Sequence, residues 1–300
     1  MKRVIIFCLL VDTGASAQVA RVFLAGTGND AGDCTNQATP CRSLQGAVDQ
    51  CPVNGEIIIL DNGGYGSASI TKSLTVNASA GVVAFIARTI TVNIGVNDKV
   101  VLRGLSMNGV VFGDADGIAF SGGGTLVVEN SVVAGFTSAG IHQLAAGSNL
   151  IVSKCEIRNN FEGVVNNSGS DTNSNTVIEN SRFEYNANSV FAGPGTANVS
   201  IPNSVLTNNG LGPTAYSTSQ TQPVLIVVDT STIAHNSEGV EAETTGAGSA
   251  TIRVTNSTIY HNVDGILAIG AGALIQSYGN NRVTANTNNS TFSGTVLPLQ

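Results

Sequence analysis

The side chains able to do chemistry in this sequence fall into two frames. His235 and His261 stand two residues after Ile233 and Ile259, and Glu238 and Asp264 stand five residues after the same pair. If the two segments stack, the imidazoles become neighbours and so do the carboxylates. Imidazole changes charge near neutral pH and a carboxylate gives or takes a proton, so this set could bind a cation or run acid–base chemistry. A plain surface turn would carry the same residues. The second frame holds Glu129, Glu179 and Asp229, four residues before Val133, Phe183 and Ile233, with Arg103, Ser153 and Pro202 at the same offset in other segments. Glu129 and Glu179 would stand two strand spacings apart, about 10 Å, at the outer edge of the separation of an inverting carboxylate pair. An outward polar column on a sheet would look the same.

Other motifs are weaker. Asp114-Ala-Asp116-Gly117, Asn29-Asp30 and Asp33 carry oxygens that calcium accepts, but they match neither the EF-hand loop nor the glycine-rich calcium repeat, and Asp with Gly is common turn chemistry. Gly26-Thr-Gly28 lacks the remaining glycine and the βαβ context of a dinucleotide site. No CxxC pair exists and no histidine lies near the cysteines, which excludes the usual zinc sites. No cofactor is expected, calcium being the one cation with suitable ligand types.

The elements that would position these residues show as an internal repeat. Val254 to Asn262 resembles Val228 to Asn236, and Ile178 to Asn186 and Ile201 to Asn209 fit the same frame. The large apolar residue of each unit gives the series Met107, Val133, Ile157, Phe183, Leu206, Ile233, Ile259, Val283, spaced by 23 to 27 residues with a mean near 25. Three residues later an asparagine recurs: Asn160, Asn186, Asn209, Asn236, Asn262 and Asn286. Asparagine tolerates left-handed turn conformations, and stacked copies can hydrogen-bond as a ladder. Short β-branched runs precede each unit, and a glycine before an apolar residue follows the asparagine, as in Gly163-Val164, Gly239-Val240 and Gly265-Ile266. Three short strands per unit describe one coil of an all-β, single-stranded, right-handed parallel β-helix, a solenoid. The period is too short for propeller blades, and a leucine-rich frame is missing.

A solenoid needs covered ends. Residues 18–55 are read as an N-terminal cap containing one short helix from Ser43 to Gln50, residues 56–290 as the β-helix, and residues 291–300 as a C-terminal tail or cap. Ile70 to Val76 reads as one strand, and Gly210 to Pro223 as an enlarged loop. The first 17 residues have the order of a signal peptide: Lys2 and Arg3, the apolar run Val4 to Val11, then Ala15-Ser16-Ala17. In an exported chain Cys34 and Cys41 could form a local disulfide, while Cys155, inside a repeat, packs as a small hydrophobe. Of 300 residues, 11% are charged, 31 are asparagine and 35 glycine, and the net charge is −7. Weak helix formers dominate, no basic stripe suits nucleic acid, and no run of eighteen apolar residues suits a membrane span.

Phe23-Leu-Ala-Gly-Thr-Gly-Asn-Asp-Ala-Gly-Asp-Cys34, Thr39-Pro-Cys-Arg-Ser-Leu-Gln-Gly-Ala-Val48 and Gly55-Glu-Ile-Ile-Ile-Leu-Asp61 with Gly63-Gly-Tyr-Gly66, together with the asparagine-marked coils, resemble secreted bacterial β-helix proteins of the pectin-lyase-like superfamily. That resemblance implies the fold and a secreted, periplasmic or cell-surface location. It does not choose among the polysaccharide lyases, glycoside hydrolases, epimerases, tailspikes and adhesins of the superfamily. The Asn-Thr-Asp, Asp-Asp, Gly-His-Gly and Arg-Ile-Lys motifs of polygalacturonases and the Arg-x-Pro-x-x-Arg motif of pectate lyases are missing. The expected function is therefore binding of extracellular polysaccharide or service as a structural surface module. The alternative is a lyase or hydrolase with a divergent site. Stacked aromatics among convergent carboxylates would favour the enzyme, and a flat face of Thr, Ser and Asn would favour binding or structure.

Overall fold

The computed structural model describes residues 20–298, so the signal-peptide reading lies outside the described residues. Each coil contributes one strand to each of three sheets, and every ladder is parallel. Val224–Asp229, Thr232–Ala234 and Glu238–Thr244 make one such coil. The first, second and third sheets hold eleven, ten and nine strands. Strands alternate inward and outward: in this coil Ile226, Val228, Ile233, Val240 and Ala242 are sealed in the core. The apolar reference series pairs coil to coil through the second sheet, from Met107 opposite Val133 to Ile259 opposite Val283.

Two turns per coil share one design. Between the first and second sheets lies a two-residue turn whose first residue has positive φ, as at Asn130, Lys154, Asn180, Asn203, Thr230 and Asn256. The next residue carries a hydroxyl ladder that the sequence reading missed. Ser231 Oγ accepts from the Ser204 backbone N–H at 3.0 Å, and Ser257 Oγ accepts from that of Ser231 at 3.1 Å. Cys155 occupies a serine position in this ladder and donates its thiol to the Val128 carbonyl. It is buried, and burial raises its pKa to about 11.

Between the second and third sheets the asparagine ladder forms as expected, with one correction. The left-handed residue is the one before the ladder: Asn159, Tyr185, Asn208, His235, His261 and Ala285. That conformation turns the following asparagine inward. Asn236 Nδ2 donates to Asn262 Oδ1 and to the Leu206 carbonyl, and its Oδ1 accepts from the Asn209 backbone and side chain. Successive ladder residues lie 26, 23, 27, 26 and 24 positions apart. At the other end Phe136 takes the ladder position, its N–H capped by Asn160 Oδ1.

Three further expectations change. Ile70 to Val76 is two strands, Ala68–Ile70 in the third sheet and Leu74–Ala78 in the first, because the chain turns a corner at residues 71–73. Within the supposed loop from Gly210 to Pro223, Leu211–Ser217 is a third-sheet strand; only residues 218–223 are loop. Stacking between neighbouring coils overrides the Gly, Pro and Ser content there, Val190 pairing with Pro213 and Ala215 with Ala242. Finally, Arg21–Leu24 pairs with Gly55–Ile59, so part of the cap is itself a rung of the first sheet.

The short helix expected near the N-terminus is present. Helix Leu44–Gln50 is capped by the Ser43 side chain, and Asp30 accepts from the Arg42 and Ser43 backbone and from Ser43 Oγ. Cys34 and Cys41 are disulfide-bonded. At the far end Ser293 and Leu297 hydrogen-bond along the last first-sheet strand, Ala273–Ser277.

Candidate functional site

The third sheet carries the residues of interest on its outward side. One outward column runs Ala139, Glu162, Asn188, Leu211, Glu238, Asp264. Asp116 adjoins its start, accepting from the Ala139 N–H. A second column, three residues further along each strand, runs Ala119, His142, Val165, Phe191, Thr214, Glu241, Leu267. A third holds Tyr216, Glu243 and Ile269. Between the columns a glycine recurs because the neighbouring coil leaves no room for a side chain. A Cβ on Gly212 would sit 1.7 Å from the Gly239 carbonyl oxygen, and one on Gly239 2.4 Å from that of Gly265.

Stacking pairs His235 with His261 and Glu238 with Asp264, as two separate contacts. The two imidazoles are exposed and parallel, centroids 5.3 Å apart, with the Tyr260 ring edge-on to both. Glu238 and Asp264 are paired neighbours, Asp264 accepting from Asn288 Nδ2. The corresponding turns of earlier coils expose Phe161 and Tyr185.

The other frame lies on the first sheet and does not converge with it. Glu129 and Glu179 do stand two coils apart in one column with Arg103 and Ser153, but Glu129 is ion-paired to Arg103 and Glu179 accepts from Ser153 Oγ. Asp229 accepts from Thr230 Oγ1 and borders an open depression of about 640 Å³ with Arg253 and Tyr278, roofed by the chain's own Leu297 and Pro298. Beside it the exposed amides of Asn149, Asn175, Asn173 and Asn198 form a flat outer ladder. The calcium candidates serve as turn and coil ties: Asp114 accepts from Thr89 and Arg88, and Asp33 from the Thr35 N–H. Among the described residues no group of three or more His, Cys, Asp or Glu is placed to hold a metal ion.

The sequence reading missed the densest chemistry. The His142 ring reaches back across Ala139, so that Nδ1 lies 3.3 Å from Asp116 Oδ2 while Nε2 is buried without a partner. Burial pushes the Asp116 carboxyl up, but its bonds to His142, Ala139 and Ser138 outweigh burial and hold it below the usual range. Glu162, on the other side of Ala139, is raised by burial, partly offset by Asn188. Two coils beyond Phe191, Glu241 lies three residues along its own strand from Glu238. Only 6% of Glu241 is exposed, and its Oε2 has no partner. Burial, then the hydrogen bond shared with Glu238, then the charges of Glu238 and Glu243 raise the Glu241 pKa to about 8. Between these two acid groups lie Phe191 and Tyr216, stacked at 6.1 Å with planes 27° apart. The signal was available: Val165, Phe191, Thr214, Glu241 and Leu267 all stand eight residues after their unit's apolar reference.

The raised Glu241 pKa sets a pH dependence. Folding favours the neutral carboxyl, so its contribution is fully present below the ordinary value of 4.5 and is lost as pH rises towards about 8. Glu241→Gln stays neutral. Its stability relative to wild type should therefore grow between pH 5 and 8, read as the difference in urea midpoints; a constant difference across that range would refute the shifted titration.

The family described as a right-handed beta helix region matches residues 57–226, more than half of the chain. The chain belongs to that family. Among solved structures it is similar to pectate lyase Pel9A, with 14% identity, a TM-score of 0.60, and 91% of this chain and 79% of that one covered. It is also similar to the A-module of the mannuronan C-5 epimerase AlgE6 from Azotobacter vinelandii, with 16% identity, a TM-score of 0.52, and 83% and 86% covered. At these identities the likeness is one of fold. A search of curated protein sequences gave no match. The pectin-lyase-like fold expected from the sequence is thus the fold observed. No helix among the described residues is long and apolar enough to cross a membrane.

Proposed function

We propose that this chain is an extracellular β-helix that binds polysaccharide along the outward face of its third sheet. The observation that carries the reading is the Phe191–Tyr216 ring pair on the outward side of the sheet, and its setting between carboxyl groups, the arrangement expected of an enzyme, is the ground for the second reading below. Aromatic faces take the apolar C–H face of a sugar, and carboxyl oxygens accept from its hydroxyls. The parallel rise of the coils repeats such contacts along a polymer. The two similar folds are named for pectate and mannuronan chemistry, which makes polysaccharide the ligand class to test first. Export rests on the order of residues 1–17 and on the Cys34–Cys41 disulfide, a bond that persists in oxidising compartments.

The test is affinity electrophoresis of the purified chain through gels holding neutral, acidic and amino polysaccharides. Phe191→Ala with Tyr216→Ala should weaken retardation at least about tenfold, the loss of about 1.4 kcal/mol of stacking, without moving the melting temperature by more than a few degrees. Retardation equal to wild type would remove the third-sheet face from the reading.

A second reading, hydrolysis or elimination on the bound glycan, is favoured by the same rings among carboxyl groups, with Glu241, whose pKa burial and Glu238 raise to about 8, placed to give up a proton near neutral pH. Release of new reducing ends from the bound polysaccharide, lost in Glu238→Gln, would select it over binding alone. The flat asparagine ladder of the first sheet fits the structural-module role equally well, and retardation by no polysaccharide would leave that role standing.

A further inference from the structure

The charges on the third-sheet face narrow the ligand class, an inference that rests on the reading above. Its three outward columns, with Asp116 at their start, hold six carboxyl groups: Asp116, Glu162, Glu238, Glu241, Glu243 and Asp264. Among the described residues these columns hold one imidazole, His142, and neither lysine nor arginine. The nearby Arg88 is taken up by Asp114 and by the Phe112 ring, 3.9 Å from its guanidinium. Neighbouring coils stand about 4.8 Å apart, so Glu238 and Asp264, on adjacent coils, act together within a Debye length of about 8–10 Å, while Glu162 and Asp116 form a second acidic group three or more coils away. A uronic-acid polymer laid on this face would bring one carboxylate per sugar against that field. A polymer carrying ammonium groups would relieve it.

A second observation, independent of the charge count, points to a cationic ligand. Glu241 is buried on the outward side with Oε2 unpartnered, an arrangement costly for a polar atom unless something completes it. It adjoins Thr214 and Leu267 in its column, and Glu238 and Glu243 flank it on its own strand. The Phe191–Tyr216 pair lies one to two coils away, where cation–ring attraction adds to stacking.

We propose that this face binds a glycan bearing free amino groups, an amino-sugar polymer, with sugar rings on Phe191 and Tyr216 and an ammonium group among Glu238, Glu241 and Glu243. An ammonium group beside Glu241 favours its carboxylate, so binding below pH 8 expels the proton that the Glu238–Glu241 pair holds in the free protein.

Isothermal titration at pH 6.5 with three probes tests this: a glucosamine hexamer, the N-acetylglucosamine hexamer and an oligogalacturonate. Each titration is run in two buffers of different ionisation enthalpy. The glucosamine hexamer is expected to bind at least tenfold tighter than its N-acetyl counterpart, to release close to one proton per complex, and to weaken as salt rises. Glu241→Gln should remove the proton release, and Glu243→Gln, at a half-exposed position whose change the fold accepts, should cut affinity several-fold. Equal or tighter binding of the N-acetyl hexamer or of oligogalacturonate overturns the amino-sugar assignment and leaves polysaccharide binding intact. Binding of none of the three, together with no retardation on any polysaccharide, overturns both. Binding without proton release overturns the role given to Glu241.

Discussion

Gly212→Val is expected to accumulate as unfolded or aggregated chain, and if it folds at all to melt at least about 6–12 °C below wild type, a loss of about 3 kcal/mol or more. A Cβ at this position falls 1.7 Å from the Gly239 carbonyl oxygen, inside covalent reach, and the obstacle is backbone of the next coil rather than a side chain that can swing away. Relief requires two coils to separate, which breaks the ladder between Leu211–Ser217 and Glu238–Thr244. Gly64→Ala is the control: its nearest neighbour is the edge of Phe85 at 3.8 Å. A Gly212→Val chain that melts like Gly64→Ala would mean that the coils are not stacked at the register described.

Asn236→Leu should cost about 2–4 kcal/mol, seen as a fall in the urea midpoint with the slope unchanged. The amide serves four bonds, and leucine satisfies none of them. The Asn209 N–H loses its acceptor, and the Leu206 carbonyl and Asn262 Oδ1 lose a donor, all in buried surroundings. Asn198→Ala removes an amide from the exposed outer ladder and should cost less than about 0.5 kcal/mol. The contrast isolates burial, because both residues lie in amide rows. Equal costs would overturn the claim that the inner ladder ties the coils together.

What could be read from the sequence divides along a physical line. The second sheet and its asparagine ladder were legible because a buried position in a stacked coil admits few residue types, so Ile233, Ile259 and Asn236, Asn262 recur visibly. The serine ladder was present in the same segments, as Asn180-Ser181 and Asn256-Ser257, yet serine is too common in this chain to stand out. Leu211–Ser217 was lost because Pro213 and Ala215 are unlike strand residues when judged alone; only the partners Val190 and Ala242 make them so. The His235–His261 pair was found because identical residues stack. His142, Phe191 and Glu241 were not, because an outward column repeats position without repeating residue type. The one extra residue in the turn before His142 also shifts it out of frame with Val165.

The three turns of a coil differ in one respect. Every turn between the first and second sheets from Glu129 onward to Asn256-Ser257 has two residues, and those after the second sheet from Arg158 onward have three. The turn returning to the first sheet ranges from three residues after Ile269 to seven after Asn166. From Arg158 onward the variation in length is thereby confined to one seam, whereas the earlier coils also vary after the second sheet, with nine residues between Asn108 and Ile118 and four between Ala134 and Ala139. A gene of this kind can insert or delete residues there without disturbing either ladder, and the seam runs alongside the acidic face for its whole extent. Related chains can thus diverge in what flanks that face while keeping an unchanged scaffold beneath it, and natural variation along the seam is the place to look for differences in what such proteins recognise.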